Sequence, residues 1–194
     1  SITRSTFTKY LKLNDTITVK KVDSNINKFD IIDTEEKAYW LGFLYADGCV
    51  RYEDTFPTRY TVDLCLQERD IEHIRKFKLF MESNKDITYR EKVKACRIVI
   101  SNKHLSKTLS ELGCFQNKSL TLKFPTEKQV PSHLLRHFVR GYFDGDGCIG
   151  KSGNTFHASL LGTSEFLNSL LKVLNFEKVN VIRKDKRRLG NTFY

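Results

Sequence analysis

Two stretches of this sequence repeat one another, and that repeat narrows the available folds more than any other feature. W-L-G-F-L-Y-A-D-G-C-V at 40–50 aligns with V-R-G-Y-F-D-G-D-G-C-I at 139–149, so Gly42 falls on Gly141, Asp47 on Asp146, Gly48 on Gly147 and Cys49 on Cys148, each pair 99 residues apart. A unit of that length is too long for a solenoid repeat. It predicts two similar subdomains related by a pseudo-two-fold axis.

The residues around each copy repeat as well. T-E-E-K opens an apolar helix over 34–47 that stops at glycine. Strands over 50–54 and 59–67 are separated by turn-like residues 54–58, and a helix follows over 68–81. Strands at 87–91 and 96–101 and a helix at 102–112 complete an αββαββα order. After a connector rich in turn signals, a second helix from Ser132 again stops at Asp-Gly. Strands at 148–151 and 155–161, a helix at 164–174 and strands at 178–184 and 189–194 follow, and the closing helix that the repeat calls for is missing up to Tyr194. The expected class is α+β, with two pseudo-symmetric αββαββ(α) subdomains at 34–116 and 132–194, each built on an antiparallel sheet and joined by a connector at 117–131. Residues 1–33 read as a polar N-terminal arm. Within it a short helix over 3–11 is similar to the end of a helix-turn-helix recognition helix.

Composition points to a partner. Lys and Arg number 33 against 23 Asp and Glu, a net charge of +10, which favours a polyanion and makes nucleic acid the first candidate. No apolar run approaches the roughly 20 residues a bilayer needs, and no signal segment opens the chain. A soluble, intracellular protein of cytoplasm, nucleoid or organelle is expected. The five cysteines at 49, 65, 96, 114 and 148 are odd in number and contain no C-x-x-C pair, so reduced, mostly buried thiols are expected rather than disulfides or zinc.

Small residues recur one helical turn apart in both copies, Gly42 with Ala46 and Gly141 with Gly145, leaving one helix face nearly bare. Such faces let backbones approach closely, so the two repeated helices are expected to pack together at the subdomain junction. Tyr39, Trp40, Phe43, Phe138, Tyr142 and Phe143 would fill the flanking cores. Helices running in the same direction would bring Asp47 and Asp146 together at two negative helix ends, an arrangement that needs a cation. Carboxylate and carbonyl oxygens suit Mg²⁺, whose chemistry includes stabilising a phosphodiester transition state. A calcium loop opening at Asp144 is excluded, because its twelfth position is Thr155 where a bidentate Glu is required.

The two motifs, W-L-G-F-L-Y-A-D-G at 40–48 and V-R-G-Y-F-D-G-D-G at 139–147, resemble those of the LAGLIDADG homing endonucleases in their single-chain, two-motif form. N-K-S-L-T-L-K-F-P at 117–125 looks like that family's segment leading into the second motif. The resemblance implies a saddle of two antiparallel sheets over duplex DNA and hydrolysis of both strands across the minor groove of a long, asymmetric target, an activity that serves intron homing. Mg²⁺ would be held by Asp47 and Asp146 with the carbonyls of Ala46 and Gly145, and Mn²⁺ or Ca²⁺ could replace it for binding. Gln67 and Lys118 match by position the polar residues near the metal waters, while Gly162 stands where a second Gln67 is expected. The sixth motif letter is Tyr45 in one copy and Asp144 in the other, so unequal half-sites are expected. Arg51, Arg59, Arg90, Lys92, Lys94 and Arg97 in the first half, and Lys151, Arg183 and Lys184 in the second, are candidates for the DNA groove, with Lys186, Arg187 and Arg188 on the phosphate backbone. A monomer is expected, since one chain carries both halves. A non-cleaving DNA-binding regulator and an intron RNA maturase are the alternatives on the same scaffold.

Overall fold

The structure, a computed structural model, describes residues 23–175 and 192–193. Its centre is a pair of helices, α1 (Glu35–Ala46) and, a hundred residues on, α4 (Leu135–Asp146). Thr34 caps α1, its hydroxyl accepting from the Lys37 N–H at 3.2 Å, and Glu35 and Glu36 sit at the positive end of the helix dipole. The two helices touch backbone to backbone. A Cβ on Gly42 would lie 2.0 Å from the Phe138 carbonyl oxygen, and one on Gly141 would lie 2.0 Å from that of Tyr39. Only glycine permits this reciprocal contact.

The first half wraps one flank of the pair. Strands β1 (Gly48–Glu53), β2 (Arg59–Gln67), β3 (Thr88–Arg90) and β4 (Ala95–Ser101) form an antiparallel sheet in the order β1-β2-β4-β3. Helices α2 (Ile71–Phe80) and α3 (Lys103–Glu111) pack on one face of it. Val50, Val62, Leu64, Ile98 and Ile100 point inward to meet Ile74, Phe77, Leu105 and Leu109, all buried. The alternate residues therefore face outward. In register these are Cys49 with Asp63, Arg51 with Thr61, Cys65 with Arg97, and Gln67 and Arg90 with Ala95.

The expected helix at 68–81 is split into a 3-10 turn, Glu68–Asp70, and α2. The strand expected over 87–91 ends at Arg90, because Glu91–Val93 form a tight turn that Lys94 leaves at φ 46° to enter β4. Part of the expected arm also belongs to the core. Phe29 is fully buried with its ring 5.6 Å from that of Phe80, and the Asn25 N–H donates to the Met81 carbonyl at 2.7 Å. The helix expected over 3–11 lies outside the described residues.

In the second half, β5 (Gly147–Ser152) and β6 (Thr155–Leu160) make a hairpin, β7 (Gly162–Thr163) leads into α5 (Ser164–Leu174), and β7 pairs with β8 (Thr192–Phe193). The strand expected over 178–184 lies outside the described residues. The thiols depart from the expectation of burial. Cys96 and Cys114 are buried, whereas Cys49 is half-buried and Cys65 and Cys148 are exposed, because these three sit on hairpin faces turned away from the core. Among the described residues no helix is long and apolar enough to cross a membrane.

Candidate active site

Both repeated helices end at the same place. Asp47 caps α1, its N–H donating to the Phe43 carbonyl at 2.9 Å, and Asp146 is the last residue of α4. A Cβ on Gly145 would stand 2.4 Å from that of Ala46 and 3.1 Å from Asp47 Oδ2, so the Asp47 carboxylate lies against the last turn of the other helix. The final carbonyls of both helices, those of Ala46 and Gly145 among them, lack intrahelical donors and add partial negative charge at the same spot.

The electrostatics follow from this crowding. Asp47 is open to solvent on one side, yet loss of surrounding water and then the charge of Asp146 push it up to about 6, against the pull of Lys118. Burial raises Asp146 as well, opposed by Lys118 and by the Tyr142 hydroxyl beside it. Lys118 lies in the 3-10 turn Lys118–Leu120, reached through Asn117 at φ 60°. Its buried ammonium donates to the Gly48 carbonyl, one residue past Asp47. Among the described residues, two carboxylates and two helix ends thus share one ammonium, that of Lys118. A second cation with oxygen-ligand preference and retained waters fits that donor set, and Mg²⁺ has those properties.

Gln67 closes β2 on its outward face, three residues beyond Leu64, which pairs with Gly48; the strand therefore runs on toward Asp47. Its counterpart is not Gly162. Because Gly147 pairs with Leu160 as Gly48 pairs with Leu64, the register maps Gln67 onto Thr163. The Thr163 hydroxyl is already engaged, donating to the Leu122 carbonyl at 2.5 Å and accepting from the Phe166 N–H at 3.1 Å as the cap of α5. The hairpin of the second half is shorter by three residues, a length that the strand pairing fixes.

The basic candidates of the first half gather on one surface. Arg51, Arg59, Arg90 and Arg97 share the outward face of the sheet, with Lys92 and Lys94 at the exposed turn between β3 and β4. Lys151 does not join the corresponding face of the second hairpin. It shares the face of Ile149, with its ammonium 5.4 Å from the centre of the Phe156 ring. Arg183, Lys184, Lys186, Arg187 and Arg188 lie outside the described residues. Sequence reasoning passed over Asp63, which grips Arg97 across the sheet, and Tyr142, whose hydroxyl donates to the Leu161 carbonyl at 2.8 Å next to Asp146. Tyr142 was legible only as an apolar motif residue; Asp63 could have been found only by strand register.

No family model matches the sequence. The curated relative Replication factor C small subunit of Methanocaldococcus jannaschii is 30% identical over 166 residues, 82% of this chain and 8% of that protein, so its role as a whole does not transfer. Solved structures with a similar backbone include the meganuclease I-SmaMI bound to uncleaveable DNA, at 13% identity and TM-score 0.50, covering 88% of this chain and 78% of that one. The LAGLIDADG meganuclease I-AabMI bound to uncleaved DNA is also similar, at 14% identity and TM-score 0.48, covering 80% of this chain and 76% of that one. What the likeness to I-SmaMI shows is the fold alone, a mixed α+β architecture with antiparallel sheet.

Proposed function

We infer that this chain, which has the fold of the LAGLIDADG homing endonucleases, is a site-specific, divalent-metal-dependent endonuclease of double-stranded DNA. The observation that carries the reading is the meeting of Asp47 and Asp146 across a glycine-only helix contact, with both carboxylates raised and the buried ammonium of Lys118 acting on both. A protein gains nothing in stability from such a pair. Retaining it twice in register makes sense for a site completed by a hydrated cation and a phosphate.

Asp47 and Asp146, with the Ala46 and Gly145 carbonyls, would hold Mg²⁺, which when bound supplies Lewis-acid charge and an activated water. Lys118 opposes the rise of both carboxyls and so favours the ionised form that ligates a metal. Gln67, on the DNA-facing side at the end of β2, orients a water by hydrogen bonding. The outward arginines of the first sheet supply the groove and phosphate contacts, and the net charge of +10 supplies long-range attraction. Both halves come from one chain, so a monomer suffices for two cuts.

The reading is tested by selecting duplexes from a randomised library in Ca²⁺ and then adding Mg²⁺. Cleavage of the selected duplexes by the unmodified chain, abolished in Asp47→Asn and Asp146→Asn with binding retained, is the expected result. Selective DNA binding with no cleavage by the unmodified chain would assign it as a non-cleaving regulator, and selective capture of structured intron RNA in place of duplex would assign it as a maturase.

A further inference from the structure

Arg97 differs from the other arginines on the outward face. Its Nε donates to Asp63 Oδ1 at 2.7 Å and its Nη2 donates to Asp63 Oδ2, a two-pronged fork across neighbouring strands. Arg97 stands opposite Cys65, and Asp63 opposite Val99, so the pair spans a diagonal in the middle of the sheet. The Asp63 side chain is 10% exposed and that of Arg97 33%, which places the carboxylate underneath and the guanidinium on top.

This pairing uses one edge of the guanidinium and leaves the other. Nε and one Nη2 hydrogen are spent on Asp63, so the remaining Nη1 and Nη2 hydrogens form an end-on pair of donors. The residues directly across from Arg97 are Cys65 and Thr88, both short, so the free edge is not walled in by long neighbours. Two parallel donors match the O6 and N7 acceptors that guanine shows in the major groove; adenine places a donor where O6 would be. A phosphate is a poor ligand for the same edge, because the carboxylate behind it cancels the attraction and repels a second anion. A neutral base edge carries no such penalty.

We propose that Arg97 is a guanine-reading residue of the first half, buttressed by Asp63, and that it contributes sequence selectivity and not phosphate attraction. The proposal rests on the DNA-binding reading above. Arg51, Arg59 and Arg90 share the face without a carboxylate fork among the described residues, and these carry the salt-dependent part of binding.

The test is selection of duplexes from a randomised library in Ca²⁺ by the full chain and by Arg97→Ala, Asp63→Asn, Arg97→Lys and Arg59→Ala, each checked for folding by circular dichroism. The expected motif of the unmodified chain contains a fixed G·C pair that disappears in Arg97→Ala and Arg97→Lys while other positions persist. Binding of the selected duplex falls about tenfold or more for Arg97→Ala, with an unchanged slope of log affinity against log salt, whereas Arg59→Ala lowers that slope by about one unit. Asp63→Asn keeps the charge on Arg97 and loses its aim, so it is expected to blur the same position and steepen the salt slope. Should Asp63→Asn fail to fold, the arginine variants still decide the matter. A uniform loss of affinity in Arg97→Ala with a shallower salt slope, or a motif unchanged by it, overturns the proposal and leaves the endonuclease reading intact. No selective DNA binding by the unmodified chain overturns both.

Discussion

The two sides of the central helix pair occupy equivalent positions and are built differently. On one side Tyr39 of α1 donates its hydroxyl to Asp144 Oδ2 of α4 at 2.8 Å, with His73 Nε2 3.2 Å from the Tyr39 hydroxyl oxygen. On the other side the equivalent residues, Phe138 and Tyr45, meet edge to face with ring centres 4.9 Å apart, and Phe124 joins them. The first junction is wet and polar, the second dry and aromatic. Between them Gly42 and Gly141 make the same contact twice. Backbone apposition is the part the symmetry cannot give up, because it fixes where Asp47 and Asp146 meet. The flanks only have to fill space, so they have diverged.

The contrast can be broken at several depths. The largest effect is expected from the symmetric elements that do chemistry. Asp47→Asn or Asp146→Asn is expected to lower cleavage at least a thousandfold, since several kcal/mol of metal-derived transition-state stabilisation is lost, as a gel assay on a selected duplex would show. The same Asp47→Asn change is expected to raise the melting temperature of the metal-free protein, because it removes a crowded carboxylate. Next come the glycines. Gly42→Ala and Gly141→Ala each drive a methyl to 2.0 Å from a backbone oxygen and should each cost about 3 kcal/mol or more in chemical denaturation. Unequal losses would show that the contact is less symmetric than its geometry.

The flanks should respond unequally. Phe138→Ala empties a fully buried site and is expected to cost about 3–5 kcal/mol, whereas Tyr39→Phe removes a hydroxyl from the solvent-exposed junction and should cost under about 1 kcal/mol. Similar costs for the two would mean that the polar junction is as structural as the aromatic one. The smallest effect is on pH. The folded-state position of Asp47, about 6, lies above its ordinary value near 3.8, so the protonated form favours folding. Metal-free stability is then highest at low pH within that window and declines as pH rises from about 4 to 6, by about 1 kcal/mol once solvent screening is allowed for. Mg²⁺ should restore it, and melts across that range with and without the ion measure both effects.

Much of the arrangement was legible in the residues. The motif repeat set out two halves, the four-residue spacing of Gly42 with Ala46 and of Gly141 with Gly145 foretold the close contact, and Asp-Gly at both helix ends brought the acids into view. The alternation in β1, β2 and β4 was also readable, and it places Arg51, Arg59 and Arg97 on one surface once the strands pair. Other features needed strand pairing or chain packing. The second hairpin is three residues shorter than the first, so the counterpart of Gln67 is Thr163, one residue beyond the expected Gly162, and paired strands fix that last residue of the register. Lys151 looked like its first-half neighbours in composition and lies on the other face, because strand alternation places it with Ile149, as Tyr52 lies with Val50. Asp63 was an ordinary strand acid until Arg97 arrived beside it from 34 residues away.

By itself, the sequence determined what depends on local period and on side-chain size: where the motif helices stop, their bare face, the strand alternation and the net charge. Beyond the meeting of Asp47 and Asp146, tertiary structure decided which charges pair, because a carboxylate's neighbours are set by chain segments far apart in sequence. Lys118 came to neutralise Asp47 and Asp146, and Asp63 came to aim Arg97, through packing that no local pattern encodes. The physical reason is range. Propensity and periodicity act over a few residues, whereas Coulomb forces and desolvation act through space and cannot be evaluated until the chain has closed on itself.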